Sequence, residues 1–252
     1  MSAISAGERA AVCCPVGNAV VRIAVARLDV PHHAVDAAAT LLSPAERKRA
    51  ARFARTDDRR RFVVARARLR QLLGVRLQMR AEEIELVHGP WGKPALAPAL
   101  AGSGVRFNVA HADDRVVYAF ADHREVGVDV EAGRRFPAAA DVAEHIFSRR
   151  ERMDYWRLPL MDRPRGFLNC WTRKEAFTKA IGKGLHHAFD AFDVSLIPGE
   201  PARILRVGRT PGEACGWAME SFDCGGGLIG AVVVQNEPDG SRPGSHPGTC
   251  PP

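Results

Sequence analysis

The sequence predicts an α+β protein built of two subdomains. Helix signals and strand signals alternate along the chain instead of separating into blocks, and they do so in two batches, at 20–124 and at 125–235. Hydrophobic residues make up 46% and charged residues 26% of the 252, which is enough apolar material for a full core and ordinary for a globular protein. Flanking the two batches, we expect a flexible N-terminus over 1–19 and a disordered tail over 236–252, rich in Pro, Gly and Ser. A cleft between two subdomains is the natural place for a ligand.

The first strand is expected at 20–28, in VVRIAVARL. SPAERKRAARF then opens a helix, with Ser43 as N-cap, Pro44 at the first helical position and Glu46 three residues after the cap. A longer helix follows from about Asp57 to Met79, with Phe62, Val63, Leu69 and Leu72 on its apolar side. Strand signals come next at 84–88, 105–111, 115–121 and 125–132. In the second batch AAADVAEHIF is helical, Ser148 caps the helix in SRRERMDYW, and a longer helix covers about Arg165 to Ile181, ended by Gly182 or Gly184. The last strands are read in AFDVSLI, ARILRV, WAMESFD and LIGAVVV.

The net charge of +7 favours acidic partners: nucleic acid, phosphorylated small molecules or acidic proteins. The six cysteines show neither CxxC spacing nor a pattern with histidine that binds zinc, so reduced thiols are expected. No apolar run is long enough to cross a bilayer. The segment AAVCCPVGNAVV, broken by Pro15, Gly17 and Asn18, makes a poor signal peptide, and the chain is expected to be cytoplasmic.

Four segments carry the chemistry. In EVGVDVE the strand period of two puts Asp129 and Glu131 on the same face as Gly127, about 7 Å apart along the backbone. Two adjacent carboxylates belong either to a solvent-facing strand or to a site for a hard cation such as Mg2+. In WTRKEAFTKAIGKGL, Lys174, Glu175 and Lys179 crowd three charges into less than two turns. They form either a solvated face with one Glu175–Lys179 pair or a third acid and two cations for metal-bound phosphates. FNVAH ends a strand with Asn108 and His111, and GPWGKPAL has the punctuation of a rigid exposed loop around Lys93 and Pro94. The basic residues at 47, 48, 49, 52, 55, 59, 60, 61, 66, 68 and 70 are too many for one solvated face.

Taken together, GKP at 92–94, FNVAH at 107–111, GVDVE at 127–131 and WTRKEAFTKAIGKGL at 171–185 resemble the 4′-phosphopantetheinyl transferases of the larger, Sfp-like class. The resemblance implies a pseudo-dimer of two similar α+β halves with the active site in the cleft between them. It implies coenzyme A as the substrate bound there, Mg2+ on its pyrophosphate, and transfer of the phosphopantetheine arm to a serine of an apo acyl or peptidyl carrier protein, with release of 3′,5′-ADP. By motif, Asp129, Glu131 and Glu175 become the metal ligands and Glu175, Glu131 and Lys179 the catalytic residues. Lys174 and Lys179 become phosphate ligands, Asn108 to His111 a phosphate-contacting turn, Lys93 and Pro94 part of the adenine loop, and Arg49 the contact for the 3′-phosphate. One departure stands out: many members have serine where this chain has Ala110, which removes a hydroxyl contact to phosphate.

The implied partners are coenzyme A and an acidic carrier, with a monomeric enzyme and neither nucleic acid nor membrane. Two rival readings exist. A basic nucleic-acid-binding module would use Arg47 to Arg70 and have no use for three carboxylates; an Mg2+-dependent nucleotide hydrolase would consume coenzyme A with no carrier.

Overall fold

The structure, a computed structural model, describes residues 9–89, 92–133, 136, 138–182, 189–208, 210 and 212–237. Two antiparallel sheets form its frame. The first has the order β1-β2-β6-β5, from β1 (Arg9–Val16), β2 (Ala19–Arg27), β5 (Val105–Ala112) and β6 (Arg115–Asp122). The second has the order β10-β11-β7, from β7 (Val126–Ala132), β10 (Trp217–Gly225) and β11 (Leu228–Gln235). Two short hairpins are added by β3 (Leu86–His88) with β4 (Pro94–Leu96) and by β8 (Phe192–Val194) with β9 (Ile204–Val207). The mixed α+β architecture is the one the sequence predicts.

Strand alternation explains how the sheets meet. Val21 and Ile23 of β2, Val117, Ala119 and Ala121 of β6, Val126, Val128 and Val130 of β7, and Val232 and Val234 of β11 pack into one shared inner core. The opposite faces take the helices. On the first sheet, Ala65, Leu69 and Leu73 of α3 (Thr56–Leu77) pack on Tyr118 and Phe120. On the second, Phe167, Cys170, Ala176 and Phe177 of α6 (Arg163–Ala180) pack with Ile229, Ala231 and Val233. The seam between the sheets runs along β5 and β7, where the buried Asn108 side chain accepts a hydrogen bond from the Val128 amide through Oδ1 at 3.0 Å. A side-chain amide thus supplies what a neighbouring strand would.

The smaller helices are set by their caps. Ser43 begins α2 (Pro44–Ala50) and Ser148 begins α5 (Arg149–Arg157), each with a complete capping box closed by Glu46 and Glu151. The helix α4 (Ala139–Ile146) lies where it was expected, whereas α1 (His32–Thr40) has no side-chain cap and was not read from the sequence. Among the described residues no helix is long and apolar enough to cross a membrane.

Two expectations are corrected. The flexible N-terminus is ordered from Arg9 onward: β1 pairs antiparallel with β2, because the turn at Gly17 and Asn18 folds the chain back into a hairpin. Cys215 is disulfide-bonded, not reduced; pairing depends on proximity in space, which cysteine spacing does not reveal. Cys170 is a buried free thiol. The expected helix stop at Gly182 has the left-handed conformation, φ +70°, while Gly184, Pro90, Trp91 and the tail from 238 lie outside the described residues.

Candidate active site

A cleft of about 540 Å³ opens where α3, the β3–β4 hairpin, β5 and α6 converge. Its walls include Arg49, Phe62 and Arg66 from the first half, Lys93 and Pro94 from the hairpin, Asn108 and His111 from β5, and Glu175 and Lys179 from α6.

The acidic corner depends on how closely α6 approaches β7. Gly127 permits the contact: a Cβ there would collide with the Ala176 carbonyl oxygen and the Ala180 amide. The face of β7 that carries Gly127, Asp129 and Glu131 therefore packs on α6 and is not solvent-facing. Lys179 reaches across, its Nζ donating to Asp129 Oδ1 at 2.6 Å. Glu131, half-buried, accepts from Trp171 Nε1 at 3.4 Å.

Glu175 lies one turn before Lys179 on the same helix face, and its Oε1 is buried with no hydrogen-bond partner among the described residues. Burial raises its pKa to about 7; Lys179 opposes the rise, and Asp129 and Glu131 add to it. Burial pushes the Lys179 pKa down, but Asp129, with Glu175 and Glu131 behind it, outweighs this and leaves it raised. His111 presents an open edge to the cleft, yet the enclosing walls, followed by Lys179 and Arg66, lower its pKa to about 4. At neutral pH its imidazole is uncharged.

The oxygen donors on Asp129, Glu131 and Glu175 fit a hard divalent cation by kind, and the orphaned Glu175 Oε1 has a use only if a proton or a cation arrives. Among the described residues, however, no set of three His, Cys, Asp or Glu is gathered into a ready metal site, and the Lys179 ammonium lies on Asp129. The donors suit the ion but are not assembled around it.

The structure redistributes the other expected ligands. Lys174 is fully buried and does not reach the cleft: its Nζ donates to Glu151 Oε1 at 2.7 Å and to the Phe192 carbonyl at 2.8 Å. Its assignment as a phosphate ligand is therefore wrong. The physical reason is helical spacing, since five residues at about 100° each set Lys174 about 140° around α6 from Lys179. Lys93 lines the cleft, but its Nζ is tied to the carbonyls of Val126, at 3.2 Å, and Lys179, at 2.9 Å. It clamps the hairpin to the second half. Ala110 packs in the inner core and is not a cleft residue, so a serine hydroxyl at this position would meet Val117 and its neighbours, not the ligand.

Arg49 is exposed on the rim, its Nη1 3.2 Å from His88 Nε2 and its guanidinium over the Phe62 ring. Of the other arginines, several make internal contacts: Arg61 forms a bidentate pair with Asp29, Arg60 donates to the Val30 carbonyl, and Arg70 is buried on Glu46. The sequence reading missed Phe62 and Arg66 as lining residues. Its available signal was an arginine one turn beyond Phe62, on the same apolar stripe as Leu69.

Comparison with known proteins bears on this cleft. The model of the 4′-phosphopantetheinyl transferase superfamily matches residues 125–226, and that of the 4′-phosphopantetheinyl transferase N-terminal region matches 30–123. The chain is 33% identical to the 4′-phosphopantetheinyl transferase HetI of Nostoc sp. over 70% of this chain and 74% of that protein. It is 29% identical to the transferase Sfp of Bacillus subtilis, over 62% and 67% of the two chains. It is 27% identical to the human L-aminoadipate-semialdehyde dehydrogenase-phosphopantetheinyl transferase, over 80% and 69%.

Proposed function

The chain belongs to the 4′-phosphopantetheinyl transferase superfamily, and from that premise we propose that it moves the phosphopantetheine arm of coenzyme A to a serine of an apo carrier protein in an Mg2+-dependent reaction. The observation that supports the reading is the Asp129–Lys179–Glu175 corner, whose Lys179 and Glu175 line the same cleft as Arg49 and Arg66. A cleft lined by several cations beside an acidic corner suits a ligand that carries more than one phosphate group.

The serine oxygen attacks the β-phosphorus, the bond from that phosphorus to the bridging oxygen breaks, and 3′,5′-ADP leaves with the electron pair. The serine proton passes to a carboxylate. Glu175 suits this role because its Oε1 is buried, unpartnered and held near neutral pKa by burial and by two neighbouring acids. Glu131 is the second candidate. Lys179 offers positive charge to the phosphoryl oxygens, and the neutral His111 can donate from β5. Asp129, Glu131 and Glu175 would hold Mg2+, which when bound neutralises pyrophosphate charge. We read the enzyme as a cytoplasmic monomer serving an acidic carrier, an expectation against which the Cys215 disulfide stands.

The test is release of 3′,5′-ADP from coenzyme A with Mg2+, measured with and without an apo carrier. The expected result is release that depends on both the carrier and the metal. Release of equal size without carrier would favour a hydrolase, and no release in any mixture would reject the transferase reading.

A further inference from the structure

We propose that Arg66 is the residue that selects for a terminal phosphomonoester in this cleft, and so distinguishes coenzyme A from its 3′-dephosphorylated form. The proposal rests on the coenzyme A reading above and adds to it a residue of the inner wall.

Arg66 is 9% exposed, lines the cleft from α3, and its Nη1 is buried with no hydrogen-bond partner among the described residues. A buried donor without an acceptor costs about 1–3 kcal/mol, so folded proteins retain few of them. The nearby carboxylate, Glu46, gives Oε2 to Arg70 Nε at 2.7 Å; its Oε1 stands 3.5 Å from Arg66 Nε as an ion pair and is itself buried without a hydrogen-bond partner among the described residues. Arg70 is further fixed by the carbonyls of Ala81, at 3.0 Å, and Ile84, at 2.8 Å. One carboxylate therefore serves two guanidinium groups.

Arg49 adds a third. Its guanidinium and that of Arg66 share the Phe62 ring, at 5.3 and 5.7 Å from the centroid. Three cations against one anion leave a surplus of two charges among these four residues. A phosphomonoester carries about −1.5 to −2 at neutral pH, whereas a diester carries only about one negative charge. The surplus matches the monoester. Burial lowers the Arg66 pKa, Glu46 opposes this, and Arg49 and Arg70 add to the lowering; an anion in the cleft would relieve the strain on that charge. A guanidinium is also the group whose planar fork fits two phosphate oxygens at once.

The experiment is calorimetric binding of coenzyme A and of dephospho-coenzyme A to the full chain and to its Arg66→Met and Arg66→Lys variants. The quantity read is the ratio of the two dissociation constants within each variant, which cancels any loss of folded protein. The wild type should prefer coenzyme A. In Arg66→Met, coenzyme A should weaken by about ten- to a hundredfold with dephospho-coenzyme A nearly unchanged, so that the preference collapses. Arg66→Lys should keep part of it, and reports the ratio if the Met variant does not fold. Equal weakening of both ligands, or a preference that survives in both variants, would overturn the assignment while leaving the coenzyme A reading in place. A wild type that binds neither ligand would overturn that reading itself.

Discussion

Glu175 lines the cleft, its Oε1 is buried and has no hydrogen-bond partner among the described residues, and its pKa is lifted from 4.5 to about 7 by burial, with Asp129 and Glu131 adding to the effect. Because the folded form holds this proton more tightly than the unfolded chain, the associated stability is complete below about pH 4.5. It is lost as pH rises through about 7. The shift corresponds to at most about 3 kcal/mol. We therefore expect Glu175→Gln to be more stable than the wild type at pH 8 by about 1–3 kcal/mol, and close to it at pH 4, in denaturant titrations. Saturating Mg2+ at pH 8 should narrow the gap by stabilising only the wild type. A difference of the same size at both pH values would contradict the burial argument.

At the scale of elements, α6 does two jobs with side chains five positions apart. Lys179 serves the cleft, while Lys174 ties α6 to α5 through Glu151, which also accepts from the Val194 amide at 2.8 Å and from the Ser148 amide at 2.8 Å. Removing one member of a buried pair strands the other, so Lys174→Met should cost about 3–5 kcal/mol of stability. Lys179→Met should cost less stability and most of the turnover. Were Lys174 a phosphate ligand, Lys174→Met would melt like the wild type and show only a raised KM for coenzyme A. Thermal melts and steady-state kinetics on the two variants separate these outcomes.

Much of this scale was legible in the sequence. The Ser43 and Ser148 caps, the alternating valines of β7 and the glycine that ends α6 are local signals, written within a few residues of what they control. The seam was not, because Asn108 and Val128 meet only after two strands far apart in sequence have paired with other partners. Nor was the fate of the arginines between 47 and 70: composition marks them as basic, but only packing shows that Arg70 and Arg66 turn inward while Arg49 stays on the rim. Lys174 was misread although its spacing held the answer.

For the whole molecule, the charge of +7 exceeds what the phosphates of one small ligand require. A basic exterior steers an acidic protein partner toward the cleft, and salt screens that steering. From about 0.05 M to about 0.5 M ionic strength the Debye length falls from roughly 14 Å to roughly 4 Å. The KM for an acidic apo carrier should rise several-fold over that range, and the KM for coenzyme A less, because its phosphates lie in a partly enclosed cleft. A carrier KM indifferent to salt would mean that the carrier is recognised mainly by apolar contact.

The central claim is that the Asp129 corner performs phosphopantetheinyl transfer, and the intact mass of an apo carrier protein tests it most directly. After incubation with coenzyme A, Mg2+ and the wild-type enzyme, the carrier should gain the mass of one phosphopantetheine group on a single serine. With Asp129→Ala, shown by its melt to be folded, the gain should disappear. A carrier left unmodified by the wild type, or modified at the wild-type rate by Asp129→Ala, would contradict the account.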